Sequence, residues 1–98
     1  MNASIAIQIL PAVHEQKELL RIVDAVIDYI RSTGIPYVVG PFETTLEGDF
    51  DDLMAVAKRC QEIAIEEGAP SVSMYLKSVY APQGGVLTID EKTSKHQG

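Results

Sequence analysis

Apolar and polar positions alternate along residues 3–10: Ile5, Ile7 and Ile9 fall on one side, Ser4, Ala6 and Gln8 on the other. A period of two is the mark of a strand with one face in a core. Pro11 closes the run. The spacing then changes to that of a helix over residues 15–33, where Leu19, Ile22, Val23, Val26, Ile27 and Ile30 make one stripe. Lys17, Arg21, Asp24, Asp28 and Arg31 lie mostly off it. Glu15 and Glu18 suit the positive end of the helix dipole, and Gly34 is a fitting stop.

Ile35–Val39 reads as a short strand, and Pro36 near its start fits a sheet edge, where no ladder donor is missed. Gly40-Pro41 punctuates the chain, and Glu43–Glu47 resumes an extended run, which predicts a hairpin. Gly48 breaks it and Asp49 is a good N-cap. A second helical stripe follows, made of Phe50, Leu53, Met54, Ala57, Cys60, Ile63 and Ala64, and Gly68 ends it. Residues 71–79 alternate again, with Val72, Met74 and Leu76 inward and Ser71, Ser73, Tyr75 and Lys77 outward. After the loop Ala81–Gly85, Thr88 and Glu91 have the spacing of a capping box, so a short helix starts there and frays before Gly98.

The order β-α-β-β-α-β plus a small helix predicts an α+β fold of ferredoxin-like type. Right-handed crossovers put both long helices on one face of an antiparallel sheet of order 4-1-3-2. Ninety-eight residues suit one domain spanning 1–98. A chain this short has a modest core, which makes self-association into a homo-oligomer an expectation.

The helix-free face then becomes the place to look for function. Alternation sends Ser4, Ala6, Gln8, Thr45, Glu47, Ser73 and Tyr75 to it. Hydroxyls, an amide, a carboxylate and an aromatic ring are the ingredients of a ligand floor. They are equally the ingredients of a solvated face or a subunit contact. Glu47 is the sharpest position, because a carboxylate at a strand end can accept hydrogen bonds from an amino-substituted heterocycle. Of Thr44 and Thr45, one faces the helices and the other the open side. Tyr75 and Tyr37 offer rings for stacking, although most strand tyrosines simply pack.

Charge and composition remove other classes. A net charge of −6 repels phosphate backbones, so nucleic acid is not expected as a partner. No apolar run approaches the roughly 20 residues of a membrane span, so no membrane insertion is expected. The N-terminus has no signal-peptide pattern, and the single Cys60 cannot form an intrachain disulfide; both suit a cytoplasmic location. Cys60 lies on an apolar stripe, which favours burial over reactivity. His14 and His96 have no second ligand at metal spacing. Asp49, Asp51 and Asp52 are accounted for by the helix dipole. No phosphate-binding glycine loop is present, and Glu47 has no partner acid or nucleophile beside it in sequence, so neither catalysis nor a cofactor is expected.

The segment Gly40-Pro41-Phe42-Glu43-Thr44-Thr45-Leu46-Glu47-Gly48-Asp49 resembles the Gly-Pro-x-x-Thr-x-x-Glu-Gly motif of the YkoF-like thiamine-binding family. The strand ending at Pro11, the helix ending in Ser32-Thr33-Gly34 and the segment Val86–Lys92 resemble that family as well, so the likeness spans nearly the whole chain. The resemblance implies ferredoxin-like subunits that pair into dimers or assemble into tetramers. It also implies a ligand, thiamine or its hydroxymethylpyrimidine part, in the context of vitamin B1 salvage or transport. By motif position it carries Thr44 and Glu47 over as a functional pair, with Gly48 as a backbone requirement; Gln8, Thr45, Ser73 and Tyr75 come from the pleat alone. Tyr80–Gln83 lacks the basic residues that often follow the last strand in that family, so unphosphorylated ligands are preferred.

Two other readings fit the same pattern. One is a regulatory or scaffold oligomer whose open face is a protein interface. The other is a small hydrolase of acylphosphatase type, which needs an arginine-bearing anion cradle after the first strand, and Pro11-Ala12-Val13-His14 supplies none.

Overall fold

The structure is a computed structural model that describes residues 1–96. Its elements run β1 (Ala3–Pro11), α1 (Gln16–Ser32), β2 (Tyr37–Val39), β3 (Thr44–Gly48), α2 (Phe50–Glu66), β4 (Val72–Tyr80) and α3 (Ile89–Thr93), with a final 3₁₀ turn at Ser94–His96. The sheet order is β2-β3-β1-β4, all antiparallel, which is the predicted order read from the other edge. The fraying expected before Gly98 lies outside the described residues.

The period-two pattern of β1 decides which face is covered. Ile5 and Ile7 lie directly opposite Leu46 and Thr44 of β3, and all four are buried on the helix side. Val26 and Ile30 of α1 and Leu53, Val56, Ala57 and Cys60 of α2 close over them. Each fully buried Leu, Ile or Val side chain contributes about 1.5–3 kcal/mol. A smaller cluster of Ile22, Ala64 and Ala69 seals the other end of the helix layer. Arg21 ties the two helices together there, donating to the Glu67 carboxylate at 2.9 Å and to the Glu67 carbonyl at 2.6 Å.

Burial on α2 departs from the expected stripe at two positions. Met54 is exposed and Val56 is buried. The buried set Leu53, Val56, Ala57, Cys60 and Ala64 centres the packed face near Leu53 and Cys60, and Met54 lies a further 100° round the helix. β2 is also shorter than expected, because Ile35 and Pro36 precede it; the Pro36 carbonyl still accepts the Glu47 N–H at 3.2 Å.

Two glycines are required by geometry. Gly34 follows α1 with φ +74°, a conformation that side chains with a Cβ rarely adopt. Gly40 opens the β2–β3 loop, where its N–H meets the Glu43 carbonyl at 2.9 Å and an added Cβ would sit 2.9 Å from that same oxygen.

The two edges of the sheet differ. β2 is three residues long and preceded by Pro36. β4 is nine residues long and pairs only with β1, so its outer edge has no partner among the described residues.

Candidate ligand-binding site

The pairing register fixes what the open face presents. Reading across β3, β1 and β4, Glu47 lies opposite Ser4, and Ser4 opposite Val79; one pleat further on, Thr45 lies opposite Ala6, and Ala6 opposite Lys77. Next comes Gln8 opposite Tyr75, and then Leu10 opposite Ser73. Thr45, Glu47, Gln8, Ser73 and Tyr75 therefore share the face that alternation assigned to them. Thr44 does not: it is 7% exposed and packs on the helix side. The motif pair Thr44 and Glu47 is split across the sheet, because residues three apart on a strand point to opposite faces.

The five residues on the open face do not form one cluster. Glu47 and Gln8 are four β1 positions apart, about 13 Å at the rise of an extended chain. Tyr75 and Ser73 are exposed beside Gln8 at the far end. Thr45 and Glu47 sit at the near end, where the sheet is not bare. The loop after β4 brings α3 back against this end, and Ser4 is buried.

The contact that docks α3 is made by Glu47. Its Oε2 accepts the Ile89 N–H at 2.6 Å, across 42 residues of sequence. Ile89 is the first residue of α3, and its N–H has no acceptor within the helix. Thr88 and Glu91 supply the rest of the cap: Glu91 N donates to Thr88 Oγ1, and Thr88 N to Glu91 Oε1, each at 3.0 Å. The Thr88 N–H holds the Glu91 carboxyl below the usual carboxylate range.

Beside this contact lies a concavity of about 270 Å³, bordered by Ser4, Ala6, Thr45, Lys77, Val79 and Lys92. Its floor is β1 and β3, one wall is β4, and Lys92 of α3 forms another. Lys77 also donates to Glu43 Oε1 at 3.0 Å, which ties β4 to the hairpin loop. Lys77 and Lys92 are both exposed, and both border this space. Alternation places Lys77 on the open face. No sequence signal places Lys92 there, because the loop from Ala81 to Leu87 has no period that fixes where α3 lands.

Two other hollows are lined differently. A wide cleft of about 460 Å³ lies by Asn2, Asp49 and Gln83. Two of its polar side chains are engaged in the fold: Asn2 Oδ1 accepts the Phe50 N–H at 2.9 Å, and Asp49 caps α2 through the Asp52 N–H at 3.3 Å. A narrow crevice of about 150 Å³ lies on the helix side under the β2–β3 loop, between Thr44 and the apolar residues Val26, Ile27 and Ile30. Cys60 is fully buried, and burial pushes its thiol up to about 11. Among the described residues, no group of three His, Cys, Asp or Glu side chains is arranged to hold a metal ion, and no helix is long and apolar enough to cross a membrane.

The same arrangement of strands and helices occurs in solved structures of similar sequence. A domain of unknown function from Bacillus cereus superposes with a TM-score of 0.88 at 36% identity, covering 99% of this chain and 91% of the other. A Streptococcus pneumoniae protein gives 0.80 at 41% identity, with 96% and 99% covered. A Thermotoga maritima protein assigned provisionally to thiamine biosynthesis or salvage gives 0.84 at 34% identity, with 99% and 100% covered. In sequence, the chain is 50% identical over 96 residues to a UPF0045 protein of Clostridium perfringens, covering 98% of both. The profile of the thiamine-binding proteins matches residues 5–97, which takes in every strand and helix described above apart from the first two residues of β1. By sequence along its whole length and by topology, this chain belongs to the thiamine-binding protein family.

Proposed function

We propose that this protein binds thiamine or its hydroxymethylpyrimidine part, without chemical change, on the open face of its sheet beside Glu47, and so serves vitamin B1 salvage or transport in the cytoplasm. The observation that carries this reading is the half-buried Glu47, paired across the sheet with Ser4, which borders the concavity together with Thr45. One oxygen is held by the Ile89 N–H, and a carboxylate has acceptor capacity to spare. An aminopyrimidine supplies the matching donor, and the threonine and serine hydroxyls can serve its ring nitrogens. A space of about 270 Å³ suits one small ring better than an extended drug-sized ligand. Thr44 acts in this reading through hairpin packing; Gln8, Ser73 and Tyr75 lie further along the face and would meet only the distal part of a ligand.

Titration calorimetry of the whole protein with hydroxymethylpyrimidine and with thiamine tests the reading. Saturable binding is expected, weakened at least about tenfold, or about 1.4 kcal/mol, by Glu47→Ala with the fold intact by circular dichroism. Absence of binding to the wild type refutes it.

A second reading has its own support. Leu10, Val38, Tyr75 and Val79 are exposed on the open face, and β4 has a free edge. These features favour a homo-oligomer, a dimer or tetramer, in which that face meets another subunit. Native mass spectrometry reads subunit number and retained ligand together. A stable oligomer that takes up neither compound would favour the interface over the pocket.

A further inference from the structure

An isolated five-residue helix is not stable in water. α3 has five residues, and none of them is buried. Its capping box satisfies two N–H groups locally, and the link that reaches the sheet is the hydrogen bond from Ile89 N to Glu47 Oε2. At 2.6 Å this is a short, charge-assisted contact. The loop before it contains Pro82, Gly84 and Gly85, with both glycines at positive φ, and buries little. α3 is thus an element of low local stability, docked through the same carboxylate that the proposed function assigns to the ligand.

The direction of coupling follows from what lines the concavity. Lys92 of α3 borders it together with Ser4, Thr45 and Lys77. An occupant touches α3, and meets a Glu47 positioned by the Ile89 N–H, only when α3 is docked, so the docked form binds the neutral pyrimidine part better, and a ligand shifts a two-state element only through such a difference. The Ile89 N–H also holds Oε2 of the Glu47 carboxylate in place, and among the described residues Oε1 accepts no hydrogen bond. We propose that α3 is a flap that completes the binding site: the Ile89 N–H positions Glu47, Lys92 supplies one wall, and ligand capture and flap docking reinforce each other. This rests on the assignment of Glu47 to the ligand made above.

One substitution isolates the N–H. Proline is well accepted at the first position of a helix, and Thr88, with φ −71° and ψ 165°, already has the conformation that a residue before proline requires. Ile89→Pro therefore removes the donor while allowing α3 to form, and Ile89→Val keeps the donor and controls for the side chain. Hydroxymethylpyrimidine and thiamine are titrated into the full-length wild type and both variants by calorimetry, with thermal melts to check the fold. Hydrogen exchange of the amides at residues 90–93 is followed with and without ligand.

The expected result is binding by Ile89→Val within about twofold of wild type and weakening by Ile89→Pro of about fivefold or more, the scale of one lost positioning hydrogen bond. Ligand should slow exchange in α3 of the wild type. In a Glu47→Ala background the proline should have no further effect, a non-additivity that a merely structural role for α3 would not give. Binding by Ile89→Pro as tight as wild type or tighter, or exchange in α3 indifferent to ligand, overturns the flap while leaving the binding function intact. Absence of wild-type binding removes the function, and the flap falls with it.

Discussion

Replacing Cys60 by alanine converts the burial of one thiol into a measurable pH effect. Cys60 has no exposed surface and packs among Ile5, Ile30, Leu53 and Ala57 in the main core. Burial penalises the thiolate and raises its pKa from 9.0 to about 11. The sign follows from linkage: the folded state holds the proton more tightly than the unfolded state. The contribution is fully present below pH 9. Between about 9 and 11 the unfolded chain ionises while the folded one does not, and stability falls. A shift of this size corresponds to a loss on the order of 2–3 kcal/mol across that window. At pH 7, Cys60→Ala should cost about 1–2 kcal/mol through the small cavity it leaves. The wild type's advantage should therefore shrink as pH rises and be largely gone by about pH 10.5. Urea denaturation of both proteins from pH 7 to 10.5 measures the gap, and most groups common to both cancel. Tyr29, whose pKa is raised mainly by burial and partly by Cys60, is the coupled neighbour to follow by its absorbance. A gap that stays constant from pH 8 to 10.5 would refute the argument and mean that water reaches the thiol.

Two further measurements probe the scaffold and the site. Gly40→Ala places a Cβ 2.9 Å from the Glu43 carbonyl, so the hairpin must shift; a cost of about 1–2 kcal/mol is expected, read as a lowered melting temperature, and an unchanged value would show that the loop yields freely. Lys92→Glu exchanges a positive wall of the concavity for a negative one, so the affinity for cationic thiamine relative to neutral hydroxymethylpyrimidine should rise about two- to fivefold at low salt and less at high salt. An unchanged ratio in paired titrations would place the cationic ring away from α3.

The elements were legible because the chain changes period cleanly, from two in β1 to 3.6 in α1 and back to two in β4. Gly34, Asp49 and the pair Thr88 and Glu91 marked boundaries for local reasons that tertiary packing does not override. Facing was legible only where a register was anchored. Alternation put Glu47 and Thr45 together, but a linear motif says nothing about sides, and Thr44 lies across the sheet from Glu47. The expected stripe on α2 took in Met54 and left out Val56, and packing in the core reverses the two: Val56 is buried and Met54 exposed. The docking of α3 was not legible at all. It depends on one hydrogen bond between residues 42 apart, at the end of a proline- and glycine-containing loop that carries no periodic signal.

The unequal edges of the sheet limit how copies of this chain can add to one another. A strand that offers hydrogen-bonding groups on both flanks of a sheet can propagate without end, as in fibres. Here one flank is three residues long and guarded by Pro36, while the other is nine residues long and open. Joining of β4 to β4 about a two-fold axis would consume the long flank of both partners, the one extendable flank among the described residues, so growth along the sheet would terminate at a pair instead of running on into a fibre.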